Sequence, residues 1–112
     1  MRRRALALLD DSSRSFVTSD FVRLEVLPKA VFHKLVDEST FYETILKNSS
    51  SVPVTKKLID RAFKEAKDHG LSAVDALHVA AAKSAGCKEL YTSERVEKPI
   101  FRVRGIVVRS LL

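Results

Sequence analysis

Apolar residues recur at helical spacing through most of the chain, and the breaks between those stretches are short and polar or carry glycine. Met1 to Leu9 predicts an amphipathic helix that Asp10 and Asp11 stop. Arg14 to Thr18 predicts a short strand, and Ser19 a cap for a helix from Asp20 to about Lys34. In that helix Phe21, Leu24, Pro28 and Phe32 lie near one face, and Pro28 should kink it because it removes a backbone donor. A second helical stretch runs from about Glu38 to Lys47 and ends in the polar turn Asn48 to Ser51. Val52 to Val54 reads as a minimal strand in which Pro53 demands an unpaired amide. Thr55 caps a helix to Asp68 with Leu58, Ile59, Ala62, Phe63 and Ala66 as its apolar stripe, and His69-Gly70 ends it. Ser72 to Ala85 is the most apolar helix, closed by Gly86; Lys88 to Thr92 and Ile106 to Arg109 read as strands.

Short strands alternating with helices of this length predict an α/β architecture, a sandwich around a parallel sheet. A length of 112 residues predicts one domain, 1–112. Hydrophobic residues make up 46% of it, enough for a packed core and too many for a disordered segment. The formal net charge of +6 is compatible with a polyanionic partner. Five basic residues stand against Glu97 alone over residues 95–112; solvated strand edges carry such charge too. One cysteine, Cys87, excludes an internal disulfide and a multi-cysteine zinc site, so a reducing, cytoplasmic setting is expected and Cys87 reads as an apolar filler. No membrane is expected as a partner, because no segment approaches the roughly 18 to 20 apolar residues of a span. The apolar run after the first arginines is also too short for an exported signal.

Carboxylates in apolar company are the candidate chemistry. On a helix turning about 100° per residue, Glu25 falls about 40° from Phe21 and so projects from the apolar arc. An i,i+4 ion pair with Lys29 accounts for it equally simply. Asp75 is surrounded by Leu71, Ala73, Val74, Ala76 and Leu77 and should need a partner. Against a chemical role, Ser72-x-x-Asp75 has the pattern of a capping box. His78, one turn on, reads as a ligand, a base or a packing residue; His33 and His69 sit near helix C-termini and are assigned no chemistry. Thr92-Ser93-Glu94 follows a strand directly, as either a turn or a hydroxyl-and-acid cluster at the strand's carboxyl end, where α/β ligands bind. Neither a glycine-rich phosphate loop nor a Gly-x-Ser-x-Gly elbow is present. Hard oxygen donors of this kind select Mg²⁺ or Mn²⁺ and suit phosphodiester hydrolysis.

Three segments in this order resemble the PIN-domain family of metal-dependent nucleases, including its toxin–antitoxin ribonucleases: Val17-Thr18-Ser19-Asp20-Phe21-Val22-Arg23-Leu24-Glu25, Leu71 to Ala80, and Glu89-Leu90-Tyr91-Thr92-Ser93-Glu94. The resemblance, running from about Arg3 to Leu112, implies a three-layer α/β/α sandwich with a parallel sheet and an Mg²⁺ or Mn²⁺ site of acidic residues. It implies that Glu25, Asp75 and Glu94 are the catalytic, metal-holding acids, Glu94 standing where many members carry aspartate, with Thr92 and Ser93 assisting. The activity implied is endoribonucleolytic, by attack of metal-activated water that leaves a 5′-phosphate and a 3′-hydroxyl. RNA is the expected substrate, and an antitoxin protein and self-association or a homodimer are the expected partners. One departure stands out. The family opens with a central strand ending in Asp, and nothing before Arg14 matches it. The expectation is therefore an N-terminally incomplete domain, from a truncated frame, a miscalled start or gene decay, with impaired activity. The alternative is a non-catalytic remnant that binds RNA or protein.

Overall fold

The computed structural model describes residues 2–112, so the Met1 end of the first predicted helix lies outside the described residues. Helix α1 (Arg2–Leu9) leads through an exposed turn to strand β1 (Val17–Ser19). There follow α2 (Asp20–Phe32), α3 (Val36–Lys47), β2 (Ser50–Val52), α4 (Lys56–His69) and α5 (Ala73–Ser84). The chain closes with β3 (Glu89–Thr92), a 3-10 turn at Pro99–Arg102 and β4 (Val107–Ser110). The architecture is α/β with parallel strand pairing, as the alternation of elements predicts.

The strands form two separate pairs. β1 runs parallel to β2, with Val17 opposite Ser50 and Ser19 opposite Val52. β3 runs parallel to β4, with Glu89 opposite Val107 and Thr92 opposite Ser110. Among the described residues no ladder joins one pair to the other, whereas the expectation was one continuous sheet. What the pairs share is α5, which packs against both β1 and β3 as well as α2 and α4.

Helix α5 is the centre of the core. Ala76, Leu77, Val79, Ala80, Ala81 and Ala82 are all buried on it. Leu58 and Ala62 of α4 meet it, together with Ile100, Val103 and Ile106 from the last third of the chain. Small side chains let neighbouring backbones come close, so a helix of only three turns contacts four elements.

Several boundaries differ from expectation. β2 lies two residues earlier than Val52 to Val54, because the amide of Ser50 donates to the carbonyl of Phe16 and Pro53 has no amide to extend the ladder. β1 starts at Val17 and takes in Ser19, which occupies the cap position of α2 without making a side-chain cap bond. α2 passes through Pro28 and stops at Phe32, just before Lys34 takes a positive φ of 56°. Its predicted apolar face divides: Phe21 packs against the core, whereas Leu24 is 68% exposed and Phe32 is 77% exposed. In α4, capped as expected by Thr55, Leu58 and Ala62 are buried while Ile59 and Phe63 are exposed. Leu58 and Ala62 face α5 and the 3-10 turn, the elements α4 packs against, and Ile59 and Phe63 fall outside that contact.

Candidate functional site

Glu25 sits in the middle of α2 and turns toward α5, where its Oε1 lies 3.5 Å from Nε2 of His78. That contact replaces the expected pairing with Lys29, which is absent among the described residues. Glu25 is half exposed while the imidazole is only 15% exposed, so the histidine belongs to the core side of the contact and the acid to the solvent side. His78 is thus the side chain through which α5 holds the α2 acid, a role that helical spacing within α5 does not disclose.

Asp75 lies one turn before His78, in the first turn of α5. Its backbone amide donates to Oγ of Ser72 at 3.3 Å, half of a capping box. Its carboxylate has no hydrogen-bond or ion-pair partner among the described residues. The expected partner is unnecessary here, since the first turn of a buried helix still reaches solvent and an acid at that end is favoured by the exposed amides.

Glu94 stands past the carboxyl end of β3. Its amide donates to Oγ1 of Thr92 at 3.1 Å, and Oγ of Ser110 donates to its carbonyl at 2.8 Å. Its backbone is therefore fixed from both strands of the pair, while its carboxylate has no partner among the described residues. Thr92 serves here as the turn former; Ser93 is exposed. No hydrogen bond or ion pair links Glu94 to Glu25 or Asp75, and among the described residues no three acidic, histidine or cysteine side chains converge at metal-ligand spacing. The donor chemistry suits a hard divalent cation, with two carboxylates lacking any cationic partner and a third held only by a histidine.

Sequence reasoning missed two further features. The hydroxyl of Ser19, at the carboxyl end of β1, is buried at 3% exposure and has no hydrogen-bond partner. An orphaned buried hydroxyl is costly, at about 1 to 3 kcal/mol, and it lies at the strand end where α/β ligands collect. The second is a clamp on Glu89, whose carboxylate accepts from Nε of Arg109 and, at 2.9 Å, from Nη1 of Arg14. The Arg109 and Arg14 guanidiniums hold the Glu89 carboxyl below its ordinary value. Arg14 also lies 5.8 Å from the Tyr91 ring. These partners are 75 and 20 residues away, a separation that no local pattern registers. Cys87 packs against the core, and burial pushes its thiol pKa up, as suits an apolar filler.

The structure is thus an α/β chain of parallel strand pairs, with acids on α2, at the start of α5 and just after β3. The family model for the PIN domain matches residues 1–98, and the chain belongs to that family. No curated protein and no solved structure matches it. PIN domains are in general nucleases that use divalent metal ions and act on RNA. Among the described residues no helix is long and apolar enough to cross a membrane.

Proposed function

We propose that the chain is a Mg²⁺- or Mn²⁺-dependent endoribonuclease domain in which Glu25, Asp75 and Glu94 hold the metal. The observation that carries this reading is Asp75, a carboxylate without a partner among the described residues on the helix at the centre of the core, one turn from the histidine that touches Glu25. When bound, the metal supplies water activation and charge stabilisation for phosphodiester hydrolysis. The chain's own residues supply placement. His78 steadies Glu25, Ser72 fixes the turn that presents Asp75, and Thr92 with Ser110 fix the backbone of Glu94. A surplus of basic residues draws in a polyanion. A reducing, cytoplasmic setting belongs to the same reading, on the strength of a single part-buried thiol.

The reading includes a further strand, ending in Asp, that joins β1 to β3. Its support is that among the described residues no ladder joins the two pairs, which both rest on α5, while Arg14, just ahead of β1, reaches across to Glu89 on β3. It also includes a protein partner, a second copy or an antitoxin, supported by the exposed Leu24, Phe32 and Val36 along α2 and α3. The test is cleavage of a single-stranded RNA with and without Mn²⁺. Mn²⁺-dependent cleavage that Asp75→Asn removes is the expected result; cleavage indifferent to both would overturn the reading. A second reading, a non-catalytic module that binds RNA or protein, is favoured by the division of the strands into two pairs. RNA binding without cleavage under any divalent metal would select it.

A further inference from the structure

Beside β4 lies an open depression of about 620 Å³ whose walls combine aromatic rings and arginines. That volume falls within the range of small-ligand sites, about 300 to 1,000 Å³. Tyr91 and Phe101 line it, with Arg4 from α1, Arg95 from the loop after β3, and Arg109 and Ser110 from β4. The arginines are partly occupied. Arg95 has Glu97 at 3.5 Å, Arg109 is bonded to Glu89, and Arg4 donates to the carbonyl of Leu112. Arg14 approaches the Tyr91 ring and shares Glu89. Of the lining side chains three are arginines and one, Glu97, is acidic; with Glu89 just outside taking Arg109, the depression keeps a modest cationic surplus. Its wall is continuous with the proposed catalytic loop, since Ser110, which lines it, also bonds the Glu94 carbonyl, and Tyr91 and Arg95 flank the segment from Thr92 to Glu94.

We infer that this depression is a subsite for single-stranded RNA, in which Tyr91 offers a face to one base and Arg95 and Arg109 take the adjoining phosphates. Rings stack on any base, and arginines follow the backbone without reading sequence. Tyr91 stands three residues before Glu94, and Arg95 directly after it, so a strand passing Glu94 runs beside the wall of the depression. The subsite rests on the proposed nuclease reading, and it sets where the substrate lies rather than how it is cut. Tyr91 and Arg95 are positioning residues; the acids remain the catalytic ones.

The experiment measures anisotropy of a labelled single-stranded RNA of about ten nucleotides in EDTA, so that binding is seen without cleavage. Tyr91→Leu should weaken binding about tenfold, within the worth of one stacked base, and Tyr91→Phe should restore it. An oligonucleotide abasic throughout should bind wild type and Tyr91→Leu alike. Arg95→Ala should weaken binding of both oligonucleotides and reduce the salt slope by about 0.7, one phosphate contact on a single strand. Circular dichroism and melting confirm that each variant is folded. If folded Tyr91→Leu and Arg95→Ala bind as wild type does, the subsite is wrong, and Mn²⁺-dependent cleavage by wild type would leave the nuclease reading standing. If the variants lose binding as expected but wild type never cleaves, the subsite holds and the nuclease reading falls. Absence of RNA binding by wild type in EDTA overturns the subsite outright.

Discussion

The hydroxyl oxygen of Ser72 accepts from the amide of Asp75 and leaves the carboxylate alone, so the two residues can be separated by substitution. Ser72→Ala should lower stability by about 1 kcal/mol, the usual worth of an N-cap, and leave Mn²⁺ affinity unchanged. Asp75→Asn keeps the amide and the shape; it should abolish Mn²⁺ binding by calorimetry while helix content stays nearly constant. Equal Mn²⁺ affinity in Asp75→Asn and wild type would assign the acid to capping alone. For Glu25, Glu25→Gln should weaken Mn²⁺ binding with little loss of stability, because the pairing with His78 is long and half exposed. At this scale the Ser72 cap of Asp75 was legible in sequence, since it sits at a local spacing that helix ends constrain. The His78 contact was not. It depends on how α2 crosses α5, and periodicity within one helix carries no information about a crossing.

Among the elements, the pairing of β3 with β4 carries the clearest electrostatic signature. Glu89 in β3 is held by Arg109 in β4, directly across from Tyr91, and by Arg14. Its carboxyl therefore titrates lower in the folded chain than the ordinary 4.5. A depressed folded-state value contributes stability that is fully present above the unfolded value and is lost as pH falls through the folded one. Melting temperature should thus show no Glu89 contribution to its pH dependence from neutrality down to about pH 5, then decline. In Glu89→Gln that acid decline should be shallower; parallel curves for the two proteins would remove Glu89 as its source. The helices α4 and α5 could be placed closely from sequence because Thr55, Gly70 and Ser72 mark their ends. Strands β3 and β4 fall within one residue of their expected limits, whereas β1 and β2 are shifted by two or three. With three or four residues each, their limits follow from partners, as the Phe16 to Ser50 bond shows for β2.

For the molecule as a whole, β1 and β3 each have one partner strand and one edge without a ladder among the described residues. Unpaired edges invite another chain, and exposed Leu24, Phe32 and Val36 add apolar surface to the same tendency. Sedimentation should therefore show association that rises with concentration; a strictly monomeric chain at high concentration would count against it. Fusing a strand of about five apolar residues ending in Asp, a common strand length, should raise the melting temperature and Mn²⁺-dependent cleavage together. A gain in one without the other would separate the structural role of that strand from its acid. The dependence of both strand pairs on α5 also has a consequence in time. Two strand pairs that among the described residues share no ladder, and meet through one alanine-rich helix and the Arg14–Glu89 ion pair, open in pieces, as cooperative units that need not unfold together. Amide exchange should then be slowest along Ala76 to Ala82. The β1–β2 and β3–β4 amides should exchange at their own separate rates, each pair able to open while the helical spine stays closed.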